Sequence, residues 1–320
     1  MNDFKVPILI TGGTGFIGSH LVRRLLTEGS EVHIIGRKEG PNLGELLNEV
    51  HIHKIDITNY SDVAIAVKKI MPKKIFHIAA STNKKKSLEG IEEVVNTNIY
   101  GTTNLMRALD NIDYDVLVFT GSCEEYGTNN PPFTENQTEN PTSIYSWSKT
   151  SIALLFRMLN NTGKNKMVIL RPSVVYGPNQ KTNALIPYTI TSALTGKKLN
   201  FTKGEQTRDF VFVSDIVEGY MKAATVEDAK GKIINLGAGK EYKVKYVVKK
   251  ILELMGTSAE ANFGAIPERK GEIQSYLPNI SLANSLLKWQ PRVSLEEGLR
   301  KTIEWYSEKF EKNELERWSD

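Results

Sequence analysis

The opening residues constrain this chain more than any other stretch. An apolar run, Val6-Pro7-Ile8-Leu9-Ile10, leads into Thr11-Gly12-Gly13-Thr14-Gly15-Phe16-Ile17-Gly18 and then into Ser19-His20-Leu21-Val22-Arg23-Arg24-Leu25-Leu26. The pattern reads as strand, glycine loop, helix. A glycine loop at the carboxyl end of a buried strand lets backbone approach a pyrophosphate, and the following helix offers unpaired N–H groups and a positive dipole end. The segment therefore predicts a dinucleotide site.

Strands and helices then alternate. Glu31-Val32-His33-Ile34-Ile35-Gly36 is a second strand, residues 51–55 a third, 74–80 a fourth, 114–120 a fifth and 167–171 a sixth, with helices over 61–70, about 88–109 and 145–159. This rhythm predicts parallel βαβ units covered on both faces. Residues 128–142, rich in Asn, Pro and Thr, are expected to cross the surface as a loop. Beyond Pro178 the rhythm loosens, with short strands near 199–202, 210–213 and 233–236 and helices near 186–194, 214–224, 244–255, 283–287 and 295–310. The expected division is a dinucleotide-binding part of residues 1–178 plus about 206–240, and a smaller part of about 179–205 plus 241–320.

Several function classes recede on composition. The net charge of +4 arises from 41 basic and 37 acidic residues spread along the chain, which argues for neither nucleic acid nor a membrane surface. The run Lys84-Lys85-Lys86 reads as a solvated loop face. A lone Cys123 excludes an intrachain disulfide and a cysteine-rich zinc site, and a reducing compartment is expected. His51 and His53 project to one side of a strand without a further ligand nearby in sequence, so no metal site is expected. Residues 1–7 lack a signal-peptide pattern and no apolar run reaches about 20 residues, so the chain reads as cytoplasmic.

Tyr145-Ser146-Trp147-Ser148-Lys149 puts a phenol and an ammonium four apart, on one helix face. A nearby cation favours the phenolate, which makes tyrosine a better proton carrier near neutral pH. Taken alone, the pair also suits an ordinary surface helix.

In combination the motifs are specific. The glycine loop, Asp56-Ile57, His77-Ile78-Ala79-Ala80, Asn98 before Gly101-Thr102, Ser122 before Tyr126-Gly127, Tyr145 with Lys149, and Arg171 before Val175-Tyr176-Gly177-Pro178 resemble the extended short-chain dehydrogenase/reductase family, especially its nucleotide-sugar epimerases, dehydratases and ketoreductases. The resemblance continues through residues 204–213, Asn235-Leu236-Gly237 and Leu287-Lys288-Trp289-Gln290-Pro291. It implies an α/β fold: a Rossmann-type doubly wound parallel sheet with a smaller C-terminal α/β substrate domain. It also implies roles. Gly12, Gly15 and Gly18 would wrap the cofactor pyrophosphate; Asp56 and Ile57 would border the adenine; Ala79, Ala80 and Ser81 would lie along the cofactor near its ribose and nicotinamide; Thr14, Phe16, Ile17 and Asn98 would also bind the cofactor. Tyr145 would be the acid/base, Lys149 would bind the nicotinamide ribose and tune Tyr145, and Ser122 would hydrogen-bond the reacting oxygen. Asn183, Arg208 and Arg269 would hold the nucleoside diphosphate. Family members often dimerise through helices matching about 88–109 and 145–159, so a homodimer is implied.

Departures from the family pattern narrow the expectation. Gly36-Arg37-Lys38 carries two cations where NAD-preferring members place an acid, so NADP(H) is expected over NAD(H). In Gly121-Ser122-Cys123-Glu124-Glu125-Tyr126-Gly127, Glu124 matches the acid of hexose dehydratases while Cys123 replaces its aspartate partner; the stretch most resembles reductases of GDP-4-keto-6-deoxymannose. Val174 stands where many UDP-sugar epimerases have Asn, and residues 263–269 look like CDP-abequose-type 4-ketoreductases. The expectation is NADP(H)-dependent reduction of the C4 keto group of a nucleotide-linked 4-keto-6-deoxy sugar. The alternative is a 4-epimerase with tightly bound NAD, and the third reading is a 4,6-dehydratase.

Overall fold

Ile8 and Ile10 enter one hydrophobic core and Leu9 the opposite one, all with no exposed surface, so β1 (Pro7–Thr11) is covered on both faces. That is why its sequence is a continuous apolar run rather than an alternating one. The computed structural model describes residues 3–82, 88–161, 166–268 and 271–318. After β1 come α1 (Phe16–Thr27), β2 (Glu31–Gly36), β3 (His51–Lys54), α2 (Tyr60–Ile70), β4 (Lys74–His77) and α3 (Ile91–Val94). A π-helical turn (Val95–Tyr100) leads directly into α4 (Gly101–Leu109), followed by β5 (Val116–Thr120), α5 (Ile144–Asn160) and β6 (Met167–Pro172). The remainder is β7 (Val174–Tyr176), α6 (Leu185–Thr195), β8 (Leu199–Phe201), β9 (Thr207–Phe212), α7 (Val213–Ala223), β10 (Ile233–Leu236), β11 (Glu241–Lys243), α8 (Val244–Met255), β12 (Ala261–Phe263), α9 (Ser281–Leu287) and α10 (Leu295–Glu311).

Seven strands form one parallel sheet in the order β10-β6-β5-β4-β1-β2-β3. Chain order reverses between β1 and β4, which opens a crevice at their carboxyl ends. Leu21, Val22 and Leu25 of α1 and Ile216, Val217 and Tyr220 of α7 cover one face. Val63 and Val67 of α2, Leu105 of α4 and Ile152 and Phe156 of α5 cover the other. This is the expected doubly wound α/β fold. A mixed sheet, β11-β9-β7, and a parallel pair, β12-β8, build the smaller part with α6, α8 and α10 around Tyr176, Ile190, Phe212 and Val248. Ala283, Leu287 and Trp289, in and after α9, return to the first core.

The structure revises three local expectations. The helix expected over about 88–109 contains the π turn, whose wider winding re-aims α4 relative to α3. The fourth strand stops at His77 instead of reaching Ala80, because the N–H groups of Ile78 and Ala79 both turn to the Thr11 carbonyl, each at 3.1 Å. The loop over 128–142 is not purely superficial. Phe133 is fully buried beside Cys123, Tyr126 and Tyr276, and its backbone pairs with Leu277 and Asn279.

Candidate active site

The glycine loop ends β1 at the crevice. Gly12 has φ +74°, and a Cβ there would lie 2.7 Å from the Ala79 nitrogen. A Cβ on Gly18 would lie 2.1 Å from the Gly12 carbonyl oxygen, so α1 can sit this close only as glycine. Gly15 caps α1 without a side chain, and the first turn of that helix carries no acid. Residues present therefore fit a dinucleotide pyrophosphate: backbone approach is open and no carboxylate competes for the helix end. Thr14 is tied through its carbonyl to the Asn42 amide, while Phe16 and Ile17 lean on the core of the smaller part.

The residues expected beside the adenine and its ribose behave differently from one another. Asp56 is exposed, and its carboxylate accepts from the N–H (2.9 Å) and hydroxyl (2.8 Å) of Thr58. Ile57 is buried under Gly101, where a Cβ would come within 2.6 Å of the Ile57 methyl. Arg37 and Lys38 are exposed just beyond β2, with Arg37 lining a cleft of about 450 Å³ beside Ala80, Ser81, Thr82 and Lys181. Asn98 spends its whole amide within the chain. Its oxygen accepts from Ser81 N–H at 2.7 Å, and its nitrogen donates to the Ser81 carbonyl (3.0 Å) and the Ser148 hydroxyl (2.9 Å). It thus braces the loop after β4 against α5.

Ser122 follows β5, and Tyr145 and Lys149 lie on the first turns of α5. Ser143 caps that helix, accepting from the Ser146 N–H at 3.1 Å. Lys149 is buried and donates to the Thr120 carbonyl at 2.7 Å; its nitrogen is 5.8 Å from the centre of the Tyr145 ring. Burial draws the Lys149 ammonium down to about 8, with the Glu125 charge acting the other way. The Tyr145 phenol is held above its ordinary value, first by burial and then by the Glu124 charge, against a hydrogen bond to Ser122. The expected lowering of Tyr145 by Lys149 is therefore outweighed here, since the cation is turned to Thr120. His77 behind them stays neutral, burial and Lys149 holding it down to about 3, and it bonds the Thr11 and Thr102 hydroxyls.

Beneath Ser122 lies a buried charge cluster that sequence reasoning did not find. Glu125 is fully buried; one oxygen accepts from Ser122 N–H at 2.8 Å, and the other from Arg171 Nε (3.0 Å) and Nη2 (2.6 Å). Arg171 also donates to Glu139, which accepts from Arg157 at 2.8 and 2.6 Å. Burial opposes the Glu139 charge, but the two arginines keep its pKa below the ordinary carboxylate value. One signal was present in sequence: a charged Arg171 ending the apolar run of β6 demands a buried counter-charge.

Of the residues expected to hold a nucleoside diphosphate, Arg208 of β9 donates to the Thr207 carbonyl and pairs with Glu272, while its guanidinium stands 5.8 Å over the Tyr276 ring. Asn183 is exposed just before α6. Arg269 and the run Lys84-Lys85-Lys86 lie outside the described residues. Tyr276, not singled out from sequence, is buried, and its phenol is pushed up by burial and then by the Glu124 charge, which puts it in the same cluster as Glu124. No helix among the described residues is long and apolar enough to cross a membrane.

Comparison with known proteins agrees with this geometry. Residues 8–237 match the NAD dependent epimerase/dehydratase family. A dTDP-glucose 4,6-dehydratase of Haemophilus influenzae is 30% identical, covering 93% of this chain and 97% of its own. The structure of UDP-glucose 4-epimerase from Thermotoga maritima with UDP-glucose superposes with a TM-score of 0.88 at 27% identity, over 95% of this chain and 99% of that one. UDP-glucuronic acid 4-epimerase from Bacillus cereus, in complex with UDP-glucuronic acid and NAD, gives 0.85 at 28% identity, over 94% and 99%. With a glycine loop, a Ser122–Tyr145–Lys149 set and a family match over residues 8–237, this chain belongs to the NAD-dependent epimerase/dehydratase family and is an NAD(P)-dependent enzyme of it.

Proposed function

We propose that the protein is a nucleotide-sugar 4-epimerase, which removes hydride from C4 of the sugar and returns it to the opposite face. The observation that carries this reading is the convergence of Ser122, Tyr145 and Lys149 at the carboxyl end of β5, in a chain similar over nearly its whole length to 4-epimerases. The bound dinucleotide supplies a nicotinamide that exchanges hydride. Tyr145 takes the proton of the C4 hydroxyl on oxidation and gives it back on reduction. Ser122 hydrogen-bonds the same oxygen, and the Lys149 charge favours the oxyanion forms that develop there. Gly12, Thr14, Gly15, Phe16, Ile17 and Gly18 hold the pyrophosphate, Asp56 and Ile57 border the adenine, and Ala79, Ala80 and Ser81 line the ribose side. Arg208 and Asn183 hold the nucleoside diphosphate, Arg208 exchanging Glu272 for phosphate oxygens.

A second reading, net reduction of a nucleotide-linked 4-keto-6-deoxy sugar by NADPH, is favoured by two observations. Arg37 and Lys38 follow β2 where a ribose-binding acid would stand, and the Tyr145 phenol is held protonated, ready to donate. One experiment separates the two. Purified protein is denatured to release retained cofactor, and native protein is assayed with UDP-sugars and with 4-keto sugar nucleotides plus NADPH. Retained NAD with interconversion of C4 epimers and no net NADPH use is the expected result. Stoichiometric NADPH consumption without epimerisation establishes the reductase instead.

The same reading takes the chain as a cytoplasmic homodimer. Tyr100, Leu154 and Met158 support that assembly, each more than half exposed on the helices expected to pair (58%, 54% and 57%). Sedimentation of the full chain, which would report a monomer if the pairing is wrong, checks it.

A further inference from the structure

Three of the five histidines stand together on β2 and β3, separated from the β5 end that carries Ser122 by β4 and β1. His33 of β2 pairs in register with His51 of β3, and Ile35 with His53, so all three imidazoles share the face of the sheet that carries α2. The His33 ring stacks on both neighbours, with centroids 4.7 Å from His51 and 5.4 Å from His53. Glu31, two residues earlier on β2, brings a carboxylate to the same side, and single donor atoms of Glu31, His33 and His51 all lie within 4.8 Å of one another. Glu31 and His51 are exposed, His33 half-buried. Neither β-strand alone carries more than two of these groups; the parallel register assembles them.

The hydrogen bonds set the proton inventory. A carboxylate only accepts, so His33 donates from Nε2 to Glu31 at 3.0 Å, and its Nδ1 accepts from His53 Nε2 at 3.1 Å. An ion bound at His33 Nε2 would replace one proton there. The ring would then carry its proton on Nδ1 and donate it to His53, the arrangement in which outer partners orient a metal-bound imidazole. Adjacent donors around a tetrahedral ion with bonds of about 2.0–2.1 Å stand ~3.4 Å apart, so side-chain rotations suffice to close the site. The chemistry is borderline-soft: imidazole nitrogen with one carboxylate suits zinc, nickel or copper(II) and not magnesium or calcium.

We propose that Glu31, His33 and His51 form a binding site for a divalent transition-metal ion, with His53 as the hydrogen-bonding partner that orients His33. The site is separate from the hydride-transfer chemistry, because it lies on β2 and β3 under α2, near the end of that helix that carries Lys69. Binding there would tie the four-residue edge strand β3 to β2 through side chains as well as through the ladder.

The test uses the full chain after removal of metal by chelator, titrated with Zn²⁺ by calorimetry near neutral pH, with Mg²⁺ as the hard-ion control. One saturable equivalent of Zn²⁺ and a raised unfolding midpoint are expected, with no response to Mg²⁺. His51→Ala, at an exposed edge position that leaves the fold intact, should weaken Zn²⁺ about a hundredfold and remove the midpoint shift. Glu31→Gln should weaken it about tenfold, and His53→Gln should cost ten- to a hundredfold through loss of orientation. His20→Gln, elsewhere on α1, should leave Zn²⁺ binding unchanged. The proposal is overturned if the chain takes up no saturable Zn²⁺, or if His51→Ala and the His33→Ala/His51→Ala pair bind Zn²⁺ as the parent does.

Discussion

The two walls of the crevice are built on opposite principles. The wall carrying Ser122, Tyr145 and Lys149 is locked from behind: Glu125 holds Ser122 N–H, Arg171 holds Glu125, Glu139 and Arg157 close the cluster, and Lys149 is pinned to Thr120. The facing wall stands on strands of three to six residues, and its guanidinium, Arg208, leans on a partly exposed acid, Glu272. A proton-transfer site gains from groups that cannot reorient, since misplacement is costly in rate. A phosphate-recognition site gains from a cation whose resting partner can be exchanged. On the proposed reading, the division teaches that rigidity is concentrated where the proton would move.

The contrast can be broken most sharply at its centre. Tyr145→Phe keeps the ring and removes the proton carrier, so kcat should fall by about 10²–10⁴ while dinucleotide affinity, read by fluorescence titration, stays within about twofold. A smaller drop removes this phenol from the mechanism. Next, Arg171→Leu should cost about 3–5 kcal/mol in urea unfolding, because it strands Glu125 as a buried charge and leaves Glu139 with Arg157 alone. If Arg171→Leu unfolds at the parental midpoint, the wall is not locked by this cluster. On the opposite wall, Arg208→Ala should raise KM for the nucleotide sugar by roughly 10–100-fold and leave the unfolding midpoint nearly unchanged. A kcat loss without a KM change would place Arg208 on the proton-transfer side.

The pH dependence gives the gentlest test. Lys149 titrates at about 8 in the folded protein, so its charge is present below that pH and lost above it. The log of kcat/KM should bend downward near pH 8, falling about tenfold per unit beyond, and the bend should vanish in Lys149→Arg, which stays charged. The same depression has a stability counterpart. Its folded pKa lies below the ordinary lysine value of 10.5, so the unfolded chain holds the extra proton between about 8 and 10.5, and Lys149 lets stability rise with pH across that window.

Much of the locked wall's outline was legible in sequence, because its signals are local. Gly12, Gly15 and Gly18 sit between an apolar strand and a helix, and Tyr145 and Lys149 are four apart on one face; each pattern carries its geometry with it. The lock was not legible. Glu125, Glu139, Arg157 and Arg171 come from four separate segments, and only Arg171 betrayed itself by placing charge at the end of a buried strand. The histidine trio was hidden for a related reason: His51 and His53 show their alternation, but His33 joins them only through the β2–β3 register. The facing wall was the least legible. β7, β11 and β12 have three residues each, too short for a period of two to establish itself against the surrounding loops.

The π turn at Val95–Tyr100 lets one helix act as a gauge for the whole groove. Upstream of its end, Asn98 grips Ser81 and Ser148, while downstream Gly101 seats on Ile57 and Asn104 donates to the carbonyls of Ile57 and Thr58. With regular winding, each residue advances by about 100° of rotation, and the two sets of contacts would face directions that no longer match. The wide turn supplies the offset. The spacing between the bracing of the loop after β4 and the seat beneath Ile57 is thereby set by one continuous stretch of helical backbone, so a change of winding at Val95–Tyr100 would shift both supports at once.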